Sequence, residues 1–90
     1  MAIRIRIEGR VQGVGYRAWA TRYATELGLD GWVRNRRDGS VEALLSGDSD
    51  SIRRMVSACH KGPPMAQVTR LSEESADTPQ GTGFRTLPTE

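Results

Sequence analysis

The chain has 90 residues, of which 37% are hydrophobic and 27% charged, and a formal net charge of +2. This composition is typical of a folded domain and excludes a disordered chain, and no apolar run approaches the roughly 18 residues of a membrane span. The length predicts one domain over residues 1–90. The basic residues are spread from Arg4 to Arg85, so we expect no nucleic-acid partner.

Metal binding and secretion are not expected either. Cys59 is the only cysteine and the adjacent His60 is the only histidine, so the chain lacks both an internal disulfide and a spaced set of zinc ligands. The N-terminus alternates isoleucine with arginine and lacks the apolar stretch of a signal peptide. We therefore expect a cytoplasmic protein that needs no metal or other cofactor and binds no membrane.

The first half of the chain predicts a strand, a loop and a helix. Isoleucines alternate with charged residues over residues 3–8, which predicts a strand with one buried face. Aromatic residues, alanines and a leucine then recur at helical spacing from Tyr16 to Leu27, and Gly28 suits the left-handed end of a helix. The loop between the two contains Gly9, Gly13 and Gly15.

The second half predicts four strands and one helix. Strands are expected at 31–36, from Val41 until Gly47, at 66–72 and at 84–87, with an Asp38-Gly39 hairpin between the first two. The helix begins at Asp48, Ser49 or Asp50, which are all residue types that cap helices. Its buried stripe runs from Ile52 to Cys59, and the sequence Lys61-Gly62-Pro63-Pro64 ends it.

This order of elements indicates a ferredoxin-like α+β sandwich, βαββαβ, with an antiparallel sheet and two helices on one face. A right-handed crossover through the first helix makes strands one and two parallel, with strand three between them. The ends of strands one and two then lie at the same edge of the sheet. We therefore expect Arg17, at the start of the helix, and Asn35, near the end of strand two, to border one pocket.

The glycine loop has the features of an anion site. Glycine takes backbone angles that are closed to other residues, so successive amide N–H groups can turn toward one point. Arg17 adds a permanent positive charge and a two-pronged donor. Together, these features predict a cradle for a phosphate group.

Three common phosphate chemistries do not fit this loop. A cysteine phosphatase has its cysteine six residues before the arginine, where this chain has Val11. A Walker A loop ends in Gly-Lys-Ser/Thr, but Lys61 is the only lysine. Residues 13–18 match the dinucleotide pattern Gly-x-Gly-x-x-Ala, but that fold needs a larger parallel sheet than 90 residues provide.

Two long motifs indicate a family. Residues 9–17 read Gly-x-Val-Gln-Gly-Val-x-x-Arg, and residues 31–47 read Gly-Trp-Val-Arg-Asn-x-x-x-Gly-x-Val followed by five residues and Gly. These motifs resemble the two signatures of acylphosphatases. One small departure is Tyr16, where the family more often has phenylalanine. The resemblance implies an enzyme that hydrolyses small acyl phosphates to a carboxylate and inorganic phosphate, by direct attack of water.

The resemblance also implies a role for each site residue. Arg17 would bind the phosphate and Asn35 would position the attacking water. The backbone cradle would be formed by Gly9, Arg10, Val11, Gln12, Gly13 and Val14. For Gln12, substrate contact and bracing of the loop both stay open. Tyr16 is expected to add a hydroxyl beside the pocket, and Trp19 and Trp32 to lie in the core or the pocket wall.

Two alternatives stay open. The carbamoyl-phosphate-hydrolysing domain of hydrogenase-maturation proteins carries similar motifs within much longer enzymes. A non-catalytic module could bind a small anion through the same pocket. An RNA reader fits less well, because strands one and three show mostly charged residues on the face where such readers display aromatic rings. We expect a monomer.

Overall fold

The computed structural model describes residues 1–90 as a five-stranded sheet and two helices. In chain order, the elements are β1 (Ala2–Arg10), α1 (Tyr16–Glu26), β2 (Asp30–Asn35), β3 (Val41–Ser46), α2 (Ser49–Cys59), β4 (Gln67–Ser75) and β5 (Phe84–Thr86). Each was predicted from the sequence, and the ferredoxin-like α+β fold is confirmed. Neither helix has both the length and the apolar character needed to span a membrane.

The strand order is β4-β1-β3-β2-β5. β3 is antiparallel to both β1 and β2, so β1 and β2 run parallel with β3 between them, as the crossover rule predicted. β5 is added outside β2 and parallel to it. The C-terminal ends of β1, β2 and β5 consequently point toward the same edge of the sheet.

β1 and β4 are longer than the side-chain pattern indicated. β1 extends beyond residues 3–8 at both ends, and β4 runs to Ser75 rather than to residue 72. The two strands pair from Ile3 opposite Ser75 to Arg10 opposite Gln67, with an irregularity at Gly9. β4 is an edge strand with mostly exposed side chains, so backbone pairing rather than hydrophobic alternation sets its length.

One hydrophobic core lies between the sheet and the two helices. Ile5 and Ile7 of β1 are completely buried, and each contributes roughly 1.5–3 kcal/mol by leaving water. α1 contributes small side chains, including Ala20 and Ala24, whereas α2 contributes larger ones such as Met55. The alanines let α1 lie close to the sheet, next to β2 and β5.

The two helices begin differently. The Asp48 carboxylate accepts hydrogen bonds from the Ser51 amide at 2.9 Å and from the Ser51 hydroxyl at 2.8 Å. These bonds, above all the one from the Ser51 amide, lower the pKa of Asp48. α1 instead follows Gly15, which has a φ of 81° and offers no side-chain cap. The first amides of α1 are therefore not used by a capping side chain.

The sheet face opposite the helices carries Trp32, which is neither in the core nor beside the glycine loop, so the expectation for this residue is wrong. The Arg34 guanidinium lies 4.7 Å from the centroid of the indole ring and donates a 2.8 Å hydrogen bond to Glu42. On the neighbouring strand β3, Leu44 lies opposite Trp32. Trp19, by contrast, packs against the core as expected.

Gly31 is a position where the fold has no space for a side chain. Its φ is +137°, and a Cβ atom there would lie 1.9 Å from the carbonyl oxygen of Leu44. We expect Gly31→Ala to lower the free energy of unfolding by about 3 kcal/mol or more, because strain and a backbone clash add together. Gly28→Ala is the control, since Gly28 has a φ of +72° with open space around it and should cost only about 1–2 kcal/mol. Urea unfolding followed by tryptophan fluorescence measures both, and equal losses would contradict the clash.

Candidate active site

A cleft of about 310 Å³ lies at the sheet edge where α1 begins. It is bordered by Val11, Gln12, Gly13, Gly15, Tyr16, Arg17, Ala18, Asn35 and Thr86. Arg17 and Asn35 thus border one cleft, as the topology predicted. Larger hollows lie on the open sheet face around Arg4; one of them contains the ion pairs of Arg4 with Glu42 and Glu74, and neither borders the glycine loop.

Residues 11–15 form the loop between β1 and α1, named here the cradle loop. Gly13 and Gly15 have φ values of +73° and +81°, which let the chain turn sharply twice. None of the five amide N–H groups in this loop donates a hydrogen bond within the protein. With the uncapped start of α1 next to them, they form a row of free donors of the kind that binds anions.

Arg17 is half-buried beside the cradle loop and has no carboxylate partner. The two acidic residues that could have balanced it do not: Glu8 lies 3.9 Å from Arg70, and Glu26 forms no ion pair. A charge without a partner at the rim of a cleft attracts an anion strongly, since charge-assisted hydrogen bonds are about twice as strong as neutral ones.

Asn35 is the last residue of β2, and its backbone is held from both sides. It pairs with Val41 of β3, and its carbonyl oxygen accepts a 3.0 Å hydrogen bond from the amide of Glu90. The side-chain oxygen Oδ1 is buried and has no hydrogen-bond partner in the protein. A buried acceptor without a partner costs about 1–3 kcal/mol, and Asn35 borders the cleft, which makes its side chain a candidate to bind a group that enters there.

Gln12 braces the cradle loop. Its side-chain amide Nε2 donates to the carbonyl oxygen of Arg36 at 2.8 Å and to that of Ser40 at 2.9 Å. Both carbonyls belong to the hairpin between β2 and β3. Of the two roles open from the sequence, the structure favours bracing, because both donor hydrogens of Gln12 are already used.

Three of the predicted cradle residues lie outside the cleft. Gly9 and Arg10 belong to β1 and pair with Val68 and Gln67 of β4, and Val14 packs against the core. The side chain of Val14 is thus turned toward the core, while its backbone amide stays one of the five in the cradle loop that donate no hydrogen bond within the protein. The irregularity in the pairing of β1 with β4 lies at Gly9, where β1 nears its end.

The hydroxyl of Tyr16 does not lie beside the pocket, so that expectation is wrong. It donates a 2.6 Å hydrogen bond to the carbonyl oxygen of Cys59, at the end of α2. Tyr16 is 2% exposed, and this burial raises the pKa of its hydroxyl. Burial likewise raises the pKa of the Cys59 thiol to about 12, which leaves it protonated and unreactive near neutral pH.

Thr86 borders the cleft but was not predicted to do so. It is the last residue of β5, and its hydroxyl lies 2.8 Å from the hydroxyl of Thr21 on α1. Neither motif contains Thr86, and the sequence did not reveal which strand β5 would join. Only the parallel pairing of β5 with β2 brings Thr86 to the cleft.

The chain is similar in sequence and in fold to known acylphosphatases. The family model for acylphosphatase matches residues 3–86. The acylphosphatase of Azoarcus sp. strain BH72 is 54% identical over 85 residues, which cover 94% of this chain and 87% of that protein. The chain belongs to the acylphosphatase family. The family and the type of hydrolase expected from the two motifs are thereby confirmed.

Structural comparison agrees with the family. The crystal structure of acylphosphatase from Bacillus subtilis superposes with a TM-score of 0.90 at 37% identity, covering 96% of this chain and 97% of that one. HypF of T. kodakarensis superposes with a TM-score of 0.82 at 31% identity, covering 97% of this chain but 12% of that protein. The identity to the B. subtilis acylphosphatase is the higher of the two, and this chain spans only a small part of HypF.

The bond from Tyr16 to Cys59 makes a testable contribution to stability. Tyr16→Phe leaves the buried carbonyl oxygen of Cys59 without this donor, so we expect the free energy of unfolding to fall by about 1–2 kcal/mol. Turnover per folded molecule should stay close to that of the wild type, because the hydroxyl points away from the cleft. Tyr23→Phe is the matched control, since the Tyr23 hydroxyl makes no hydrogen bond within the protein. A loss of turnover without a loss of stability in Tyr16→Phe would place the hydroxyl in the site.

Proposed function

We propose that this acylphosphatase hydrolyses the carboxyl–phosphate bond of small acyl phosphates by direct attack of water, releasing a carboxylate and inorganic phosphate. The observation that carries the proposal is the pairing, in one cleft, of an arginine without a counter-charge and a buried asparagine oxygen without a partner. The first suits a phosphate and the second suits the nucleophile.

The cradle loop and Arg17 would bind the phosphoryl group. Phosphoryl transfer depends mainly on positioning and on stabilising charge at the equatorial oxygens, which amide N–H groups and a guanidinium can do. The five unpaired amides of the loop are fixed in place by the backbone, so they need little rearrangement when charge develops. The bracing by Gln12 supports this preorganisation.

Asn35 would position the attacking water. Its Oδ1 can accept a hydrogen bond from that water, but an amide has no basicity with which to remove the proton. The base would then be an oxygen of the substrate's own phosphate. Turnover should accordingly follow the ionisation of the substrate, and a requirement for an ionisable protein group near neutral pH would contradict this step.

The leaving group explains why the cleft needs no general acid. The residues that border it include no carboxylate, histidine, cysteine or lysine. A carboxylate leaving group has a pKa of about 4, so it departs as an anion without a proton from the enzyme. An acyl phosphate is therefore a substrate that this set of side chains can cleave.

We further propose that residues 1–90 act as one domain, as a monomer in the cytoplasm. All residues that border the proposed site belong to one chain, and a single sheet brings the ends of β1, β2 and β5 to it. Light scattering on the purified protein tests the monomer. A molecular mass that rises with protein concentration, together with a turnover per chain that rises with it, would contradict the monomer.

Arg17 is the first residue to test. We expect Arg17→Ala to lower kcat/KM by roughly 10²–10³-fold, the usual loss when one donor to a developing oxyanion is removed. Arg17→Lys should recover little, because one ammonium cannot replace the two-pronged guanidinium. Arg22→Ala is the matched control, with the same change in charge at an exposed position on the same helix. Benzoyl phosphate hydrolysis followed spectroscopically gives the rates, and full activity in either Arg17 variant would overturn the assignment.

Asn35 should separate binding from turnover. We expect Asn35→Ala to lower kcat while the inhibition constant for inorganic phosphate stays nearly unchanged, because the phosphate is held by Arg17 and the cradle loop. Asn35→Asp should be worse, since it adds a negative charge beside a dianionic group. Equal losses in kcat and phosphate affinity would make Asn35 a binding or structural residue instead. Phosphate inhibition without any turnover in the wild type would indicate a module that only binds anions.

A further inference from the structure

A pair of hydroxyl groups lies at the border of the cleft, where only one of its members, Thr86, lines the cleft itself. The Oγ1 atoms of Thr86 in β5 and Thr21 in α1 are 2.8 Å apart, and either hydroxyl can donate the hydrogen bond between them. Thr86 is exposed and borders the cleft, while Thr21 is half-buried. The pair therefore joins β5 to α1 where the two elements border the site.

The position of this pair relative to Arg17 follows from helix geometry. Thr21 is four residues after Arg17 on the same face of α1, about 6 Å further along the helix axis. The cradle loop precedes Arg17, so the hydroxyl pair lies on the other side of this arginine from the loop. A substrate with its phosphoryl group in the cradle and on Arg17 would extend its acyl group toward Thr86.

The hydroxyl pair has a donor to spare. Each threonine hydroxyl carries one hydrogen and two acceptor lone pairs, and the bond between them uses only one of the two hydrogens. The hydroxyl of the nearby Thr25 is not involved, because it donates to the backbone carbonyl of Thr21 at 2.7 Å. When Thr21 donates to Thr86, the hydrogen of Thr86 is free for a ligand in the cleft.

We propose that Thr86 donates a hydrogen bond to the carboxyl group that leaves during hydrolysis, and that Thr21 orients it; this inference rests on the proposed function above. As the water oxygen bonds to phosphorus, the bond from phosphorus to the acyl oxygen breaks and its electron pair stays on the carboxylate. Negative charge grows on that group, so the bond from Thr86 strengthens in the transition state. The hydroxyl keeps its proton throughout.

A series of ring-substituted benzoyl phosphates tests this assignment, because their leaving acids differ in pKa. Thr86→Val keeps the shape and β-branching of the side chain but removes the donor. We expect a loss in kcat/KM of roughly tenfold for the most basic leaving group, the size of one hydrogen bond to a charged group, and a smaller loss for the least basic one. The plot of log kcat/KM against leaving-group pKa should thus be steeper than for the wild type.

Two further variants and a ligand separate this role from a structural one. Thr86→Ser keeps the hydroxyl and should restore the wild-type slope. Thr25→Val removes a hydroxyl one turn further along α1, outside the cleft, and should leave the slope unchanged. Inorganic phosphate has no acyl group, so its inhibition constant should be the same for Thr86→Val and the wild type.

The outcomes also separate this inference from the proposed function. Suppose that the wild type hydrolyses the series, and that Thr86→Val either loses the same activity toward every member or loses no activity at all. The role of Thr86 is then overturned, and the proposed function stands. If the wild type hydrolyses no member of the series, both are overturned. A steeper slope with unchanged phosphate inhibition supports the role in the leaving group's departure.

Discussion

The position of the site depends on one row of residues across the sheet. Val41 at the start of β3 is paired on one side with Ile7 of β1 and on the other with Asn35 of β2. Neighbouring strands lie about 4.8 Å apart, so this row holds Asn35 about 10 Å from β1. The cradle loop follows the end of β1, so the row also sets how far Asn35 lies from that loop. A shift of β2 by one residue against β3 would turn Asn35 to the other face of the sheet, and the cleft would lose its buried acceptor.

The hydrogen bonds near the cleft divide into those that the protein makes for itself and those that it leaves open. Gln12 uses both amide hydrogens on the hairpin, and Tyr16 uses its hydroxyl on the end of α2. The cradle amides, Arg17 and Asn35 Oδ1 have no such partners. Rigid, satisfied groups therefore surround a small set of unsatisfied ones, which is how a site can be preorganised without losing stability elsewhere.

Much of this arrangement could be predicted from the sequence, because the signals were local or followed from chain topology. The isoleucine alternation of β1, the Asp48 cap and the crossover rule gave the elements and brought Arg17 to the same edge as Asn35. The remainder depended on contacts between distant parts of the chain. The direction of the Tyr16 hydroxyl, the stacking of Arg34 on Trp32 and the arrival of Thr86 beside Thr21 each require the packed structure.

The link from Gln12 to the hairpin also bears on which sequence changes the site can tolerate. Gln12 binds only the main-chain oxygens of Arg36 and Ser40, and every residue type supplies such an oxygen. A substitution at either position therefore keeps both bonds to Gln12 as long as the hairpin keeps its shape. A change in the length of the hairpin would be different, because it would move both oxygens away from Gln12 together. The bonds from Gln12 therefore constrain the length of the hairpin more than they constrain the side chains at positions 36 and 40.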